Sequence, residues 1–323
     1  METVVCNLCG VSDYNEAYRQ PDSKYFPNEW FTVVRCAHCG LGFVNPRPTR
    51  DEIGRYYPST FYEYFEKDEN RQFHSRRYEL EAGFVETLGT QDRQRGRLLD
   101  VGCANGDFPR FMRERGWEVE GVEVSSTSRP IRDFTVHRQE FPSIPVDGPF
   151  YDAVTAWAVL EHVHDPMAYF KKAAQVLRGG GAFVFLVTNF ESLTSHALFG
   201  EDVPRHLYFF TEGTVRRYLE RTGFELVSVA YGDQIYGMLP VNWLRYFLRR
   251  AAGQPFEWQD SRLTHDRYLA DHGLPQTMAN KVKFLAGHPI SLADRLLAPL
   301  YARYQILARR YGIVTYVARR KAQ

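Results

Sequence analysis

Four of the chain's five cysteines fall in two pairs, Cys6-x-x-Cys9 and Cys36-x-x-Cys39, and each pair is followed by a glycine, Gly10 or Gly40. Four thiolates so spaced can close a tetrahedral shell of soft ligands, which suits a structural zinc ion. The glycine lets backbone amides turn toward the sulfurs. The 26 residues between the pairs exceed the common spacings, so an extended finger is expected. His38, inside the second knuckle, stays outside the shell because four thiolates already fill it. Disulfides are the competing reading. The opening Met1-Glu2-Thr3-Val4-Val5-Cys6 has neither the basic region nor the apolar core of a secretory leader. The chain therefore reads as cytoplasmic, where thiols stay reduced.

A second set of residues points to a small ligand held by backbone. The run Leu98-Leu99-Asp100-Val101-Gly102-Cys103-Ala104-Asn105-Gly106-Asp107-Phe108 passes from an apolar strand through an acid into a Gly-x-Ala-x-Gly turn, then a helix. Glycines there remove the Cβ between backbone and a flat ligand. A dinucleotide fingerprint needs glycine at its first, third and sixth positions. Here those positions hold Gly102, Ala104 and Asp107, and a carboxylate at the sixth would repel a pyrophosphate at the helix N-terminus. No Gly-Lys-Ser/Thr follows, so the P-loop fails too. What remains is a ligand with a cationic amino-acid end and no phosphate, and S-adenosylmethionine fits. Asp100 would meet its ammonium group, and the amides of the turn, which includes Cys103 and Ala104, its carboxylate.

The segments that follow supply the other contacts. A second strand over Trp117 to Val124 carries Glu123, placed to accept both hydroxyls of a ribose. A third piece, Phe134 to His137, leads to Gln139, Glu140 and Phe141 at the adenine. A fourth strand, Tyr151 to Trp157, ends on a ring that can line the same pocket. Then comes Leu160-Glu161-His162-Val163-His164-Asp165-Pro166, in which Asp165 caps a helix opened by Pro166. That helix is expected to reach Leu177-Arg178 and stop at Gly179-Gly180-Gly181, before an apolar fifth strand, Ala182 to Val187.

This order of motifs resembles the class I S-adenosylmethionine-dependent methyltransferases, in the branch with the ubiquinone-biosynthesis O-methyltransferases and many sugar and natural-product enzymes. Asp100, Gly102 and Gly106 match the family's first motif, and Glu123 its ribose-binding acid. Leu160 to Pro166 looks like the signature after strand four. His206-Leu207-Tyr208-Phe209-Phe210-Thr211, with Leu219 and Thr222-Gly223-Phe224-Glu225, looks like its late block. Ala104 stands where the family usually has glycine. The link from Ser125 to Arg132 is short and holds Pro130, so the helix there should be stunted. The resemblance implies a Rossmann-like, seven-stranded doubly wound α/β sheet of order 3-2-1-4-5-7-6. Phe224 to Val229 would be strand six, and Ile313 to Arg320 the antiparallel last strand beside strand five.

Methyl transfer to a neutral hydroxyl needs alignment, a dry site and a base that titrates near neutrality. Histidine is the natural base. His206, after strand five, and His162 and His164, after strand four, are the candidates, at the carboxyl ends of strands where ligands bind in open α/β folds, with His206 and His162 preferred. Glu161 beside His162 offers two ligands to a divalent metal, too few alone to define a site.

The remainder divides around these motifs. Residues 1–48 read as a zinc ribbon with strands near Phe31 to Arg35 and Leu41 to Val44. Residues 49–96 form a helical, aromatic linker and cap. It opens at the capping box Thr49-Arg50-Asp51-Glu52 and is dense in rings (Tyr56, Tyr57, Phe61, Tyr62, Tyr64, Phe65, Phe73). The core follows over 97–234, a helical insertion over 235–310, and the last strand with its tail over 311–323. In the insertion, Leu297, Leu300, Tyr304, Leu307 and Tyr311 recur at helical spacing, with Arg295, Arg303, Arg309 and Arg310 opposite. Such a helix usually packs its apolar side on the core and solvates its charges. The alternative is peripheral contact with an anionic membrane. With 323 residues and a formal net charge of +1, the chain can build one large domain plus a module and carries no general signature of nucleic-acid binding. The expected partner is a small-molecule acceptor with a hydroxyl, on a sugar, quinone or natural-product precursor. An RNA methyltransferase and a nucleotide-sugar C-methyltransferase are the rival readings.

Overall fold

The computed structural model describes residues 1–22, 25–58, 71–87, 96–125, 131–145, 148–192, 202–232, 243–254, 273–275 and 277–322. The N-terminal unit contributes β1 (Tyr14–Pro21), β2 (Trp30–Cys36) and β3 (Gly42–Val44). All pair antiparallel, and β1 is a strand the sequence reading did not assign. A short helix, α1 (Arg50–Ile53), follows. Its capping box is formed: the Thr49 hydroxyl accepts from the Glu52 amide, and the Glu52 carboxylate accepts from the Thr49 amide. Of the aromatic run, Phe61, Tyr62, Tyr64 and Phe65 lie outside the described residues. Tyr56 is buried between Phe26 and Phe31.

A longer helix, α2 (Arg71–Glu86), precedes the core elements β4 (Arg97–Val101), α3 (Asp107–Glu114), β5 (Glu118–Val122), β6 (Thr135–His137), β7 (Tyr151–Trp157), α4 (Pro166–Val176) and β8 (Leu177–Thr188). Then come β9 (Tyr208–Phe209), α5 (Glu212–Arg221) and β10 (Phe224–Tyr231). The insertion holds α6 (Trp243–Ala251), α7 (Met278–Gly287) and α8 (Pro289–Leu307), before β11 (Ile313–Arg320). The main sheet runs β6-β5-β4-β7-β8-β11-β10. In core numbering this is 3-2-1-4-5-7-6. Only β11 is antiparallel to its neighbours.

Both faces of this sheet are covered, which is why its central strands are apolar throughout. Leu99, Val101, Val154, Phe183 and Phe185 point into one core with Phe170 of α4 and Leu219 of α5. Leu98, Ala153, Val184 and Leu186 point into the other, with Ala82 of α2 and Phe108 and Met112 of α3. One boundary differs from expectation. Helix α4 ends at Val176, not Arg178, and β8 starts at once at Leu177, carrying Gly179 to Gly181 within it. The Leu177 backbone is already extended, and this residue pairs with Tyr151 of β7, so sheet pairing wins over the helix. The link after β5 contains residues 126–130, which lie outside the described residues, so its stunted helix is not addressed.

The two sheets are joined. Strand β9, from the late block of the core, pairs with β3 of the N-terminal unit to give the order β1-β2-β3-β9. The segment carrying His206 is thus held by residues some 160 positions earlier in the chain.

Candidate active site and thiolate centre

The turn after β4 leaves the sheet through three residues of left-handed backbone, Gly102, Ala104 and Gly106 (φ of 75°, 49° and 80°). A Cβ on Gly102 would meet Val159 at 2.5 Å, and one on Gly106 would meet Phe134 at 2.8 Å. Both glycines are therefore required by backbone angle and by space. Ala104 bears the cost of a left-handed angle with one methyl. Cys103 is buried, its sulfur filling the space above Gly121.

Asp100 lies at the carboxyl end of β4, fully buried, and accepts from the Thr155 hydroxyl at 2.6 Å. Burial pushes its carboxyl up to about 8. A ligand ammonium there would hold it ionised. Beneath it sits a pair the sequence reading missed. Glu81 of α2 is completely buried, bonded to Arg77 at 2.6 Å, and pushed up to about 7 by the same desolvation. The only sequence signal was a Glu four residues after an Arg on a helix. Glu123 follows β5 and accepts from the amides of Ala104 (2.9 Å) and Ser125 (2.7 Å), so it braces the turn it was expected to accompany. Glu140 pairs with Arg50 of α1 on the surface. Trp157, at the end of β7, is buried edge-on to Phe108 and its indole N–H has no hydrogen-bond partner.

Beyond the ends of β7 and β8, Glu161, His162 and His206 come together. One ligand atom from each lies within 4.8 Å of the others. The two imidazoles meet edge to face at 4.6 Å between centroids. His162 Nδ1 lies 3.1 Å from the Arg205 carbonyl and 3.0 Å from the Tyr57 hydroxyl. A carbonyl can only accept, so Nδ1 carries the proton and Nε2 is the basic nitrogen. Glu161 is buried, and its carboxylate has no side-chain hydrogen-bond partner among the described residues. Burial raises its carboxyl to about 8, against a partial offset from the nearby Glu161 and Thr188 amides. The trio can hold a proton or a divalent cation. His164 takes no part: its ring reaches the Pro48 carbonyl at 3.1 Å, and burial lowers its pKa.

Arg205 fixes this corner. Its guanidinium, fully buried, bonds both oxygens of buried Asp22 (3.1 and 2.9 Å), Asp202 (2.9 Å) and the Tyr56 carbonyl (3.0 Å). Nothing in the sequence marked Asp22, because the pairing spans two units of the fold.

In the N-terminal unit, Cys6, Cys9, Cys36 and Cys39 place their sulfurs within 4.8 Å of one another. Sulfurs at the corners of a tetrahedral zinc site, about 2.3 Å from the ion, stand about 3.8 Å apart, so the cluster fits one ion. Gly10 and Gly40 close the two knuckles with amides that donate to the Cys6 and Cys36 carbonyls. His38 is exposed and outside the group.

Residues 73–229 match the Methyltransferase domain family, and the fold and the turn after β4 agree with that match. A ubiquinone biosynthesis O-methyltransferase from Azoarcus sp. (strain BH72) is 30% identical over 156 residues, 42% of this chain and 66% of that protein. One from Alkalilimnicola ehrlichii is 33% identical over 103 residues, 29% of this chain and 42% of that protein. The chain thus spans about half the length of the curated relatives it matches. In fold it is similar to phosphoethanolamine N-methyltransferase 2 of Haemonchus contortus in complex with S-adenosyl-L-methionine. That match has a TM-score of 0.51 and 16% identity, over 87% of this chain and 62% of that one.

Proposed function

We propose that the protein methylates a hydroxyl of a small-molecule acceptor, with S-adenosylmethionine as donor, a structural zinc ion in the thiolate centre and a cytoplasmic location. One observation carries the reading. The Asp100 turn, after β4, and the Glu161–His162–His206 cluster, after β7 and β8, both lie at the carboxyl ends of strands in one sheet. The bound donor supplies an activated methyl carbon, whose bond to sulfur breaks as the acceptor oxygen bonds to it. Asp100 would hold the ammonium end, the amides of Gly102 to Gly106 the carboxylate, and Glu123 the ribose, with Glu140 and Trp157 toward the adenine. His162 Nε2, set by the Arg205 carbonyl, takes the acceptor proton, and His206 lies against it to share or relay that proton. The O-methyltransferase names of the relatives favour oxygen over carbon or RNA as the acceptor.

Titration calorimetry with S-adenosylmethionine tests the donor site. Glu123→Ala removes the ribose acceptors and should weaken binding about thirty- to a hundredfold. Unchanged affinity refutes the assignment. Turnover on a panel of phenolic and sugar acceptors tests the base: His162→Ala should lose about a hundredfold or more in kcat with donor affinity intact.

A second reading rests on the buried Glu161 carboxylate, which has no side-chain hydrogen-bond partner among the described residues. With His162 and His206 it would hold a divalent cation that polarises the acceptor hydroxyl. Loss of turnover on chelation, with donor affinity retained and turnover restored by added cation, would select it.

A further inference from the structure

Helix α8 is built inside out. At 100° per residue, Leu296, Leu300, Arg303 and Leu307 fall within an arc of about 60°. Leu296 is 70% exposed, Leu300 63% and Leu307 84%. The opposite side carries Asp294, Tyr301 and Gln305, and these are buried. The inward polar groups have work to do at one end. Asp294 accepts from the Leu244 amide at 2.7 Å, satisfying a free donor in the first turn of α6, and Trp243 stacks on Tyr301 at 4.5 Å. The outward leucines have none within the described residues. Met278 and Val282 add exposed apolar surface on α7. This reverses the sequence expectation that the leucine stripe faces the core.

The charge on these helices is one-sided. The whole chain balances 40 Lys and Arg against 39 Asp and Glu. Yet α6 carries Arg245, Arg249 and Arg250, α7 carries Lys281 and Lys283, and α8 carries Arg295 and Arg303. The only carboxylate on the three helices is Asp294, which is turned inward.

We propose that the α6–α8 face docks on an anionic lipid bilayer, with the Leu296–Leu300–Leu307 stripe entering the headgroup boundary and the cations engaging lipid phosphates. Leucines outward, with cations on and beside them and no exposed anion among the described residues of the three helices, form the pattern of an interfacial helix. A protein partner is a poorer match, because the cores of protein interfaces are depleted of charge and of lysine. A second copy is poorer still: a two-fold contact would set like-charged faces against each other. No helix among the described residues is long and apolar enough to cross a membrane, so contact is at the surface. The inference stands apart from the identity of the acceptor.

Sedimentation of the full chain with vesicles tests it. Wild type should bind vesicles of phosphatidylcholine with phosphatidylglycerol at least about tenfold better than phosphatidylcholine alone, and lose that advantage at high salt. The double substitution Leu300→Asp and Leu307→Asp should abolish binding, while Arg303→Glu should weaken binding to the anionic vesicles alone. Donor affinity and melting temperature, measured on each variant, should stay at wild-type values. Failure of the folded wild type to bind anionic vesicles at low salt overturns the proposal. A concentration-dependent dimer that Leu300→Asp dissociates overturns it in favour of a second copy.

Discussion

The core carries two additions, and they are attached in opposite ways. The N-terminal unit is stitched in by polar bonds. Asn7 reaches Asp165 and Tyr218, Arg47 reaches the His164 carbonyl and Tyr208, Asp22 holds Arg205, and β3 pairs with β9. Its Cys6, Leu8 and Phe43 belong to the same apolar cluster as the central strands. The insertion is tethered lightly by comparison. Asn189 bonds the Arg309 and Tyr311 carbonyls, Ala302 reaches the core cluster, and α8 turns its leucines away. The first addition braces the Glu161–His162–His206 corner; the second presents a surface. Burial separates the two roles.

The comparison is broken most severely at the thiolate centre, by removing the zinc ion proposed there. Structural zinc sites contribute free energy to folding directly. If the N-terminal unit supports the His206 segment through β3 and β9, Cys36→Ser should lose zinc, one ion per chain by metal analysis. It should also lose turnover completely, although Cys36 is not in the donor pocket. Retained turnover in a zinc-free, folded variant would make the unit an appendage. Arg205→Met comes next. It leaves the buried Asp22 carboxylate without its guanidinium, which costs about 3–5 kcal/mol. Chemical denaturation should show that loss, and Asp22→Asn with Arg205→Met should recover part of it.

Acid groups sharpen the comparison at the next scale. Glu161 is raised by burial to about 8, above its unfolded value. Its contribution is therefore fully present below the unfolded pKa and is lost as pH rises toward the folded one. Asp100, also raised to about 8, and Glu81, to about 7, act in the same direction. Between about pH 5 and 7.5 the Glu161 carboxyl alone should remove about 3 kcal/mol of stability from the ligand-free protein. Glu161→Gln should flatten that slope in denaturation curves measured across pH. Under the second reading, added divalent cation flattens it too, because a bound cation keeps the carboxylate ionised.

What the sequence disclosed follows a physical line. The β4 turn was legible because glycine angles, strand ends and caps are local, whereas the strand order came only from the resemblance to a known family. Gly102, Gly106 and the Asp165 cap need only their neighbours to be recognised. The thiolate set was legible because CxxC spacing encodes its own geometry. Partners chosen by tertiary contact were not legible. Asp22 meets Arg205 across 183 residues, β3 meets β9 across about 165, and Glu81 lies under Asp100 only once α2 has docked. Helix α8 misled for a related reason. Periodicity finds the apolar stripe, but the side that faces the core is set by the capping and stacking of Asp294 and Tyr301 against α6.

The smallest expected effect discriminates most finely between the two additions. Leu41 of the N-terminal unit and Leu300 of the insertion are the same residue type, one buried completely and one mostly exposed. Leu41→Ala opens a cavity beside the thiolate centre and should cost about 2–5 kcal/mol. Leu300→Ser removes a side chain that already touches solvent, so its stability should change by less than about 0.5 kcal/mol. Side-by-side thermal unfolding of the free protein checks the contrast. Anionic vesicles then provide the second reading of the same pair: they should raise the melting temperature of wild type and of Leu41→Ala, which retain the stripe. They should leave Leu300→Ser less protected, because a surface that binds only the folded state stabilises it in proportion to its affinity. If Leu300→Ser is instead destabilised by kilocalories in the absence of lipid, the leucine has a partner within the chain and the insertion is attached as firmly as the ribbon.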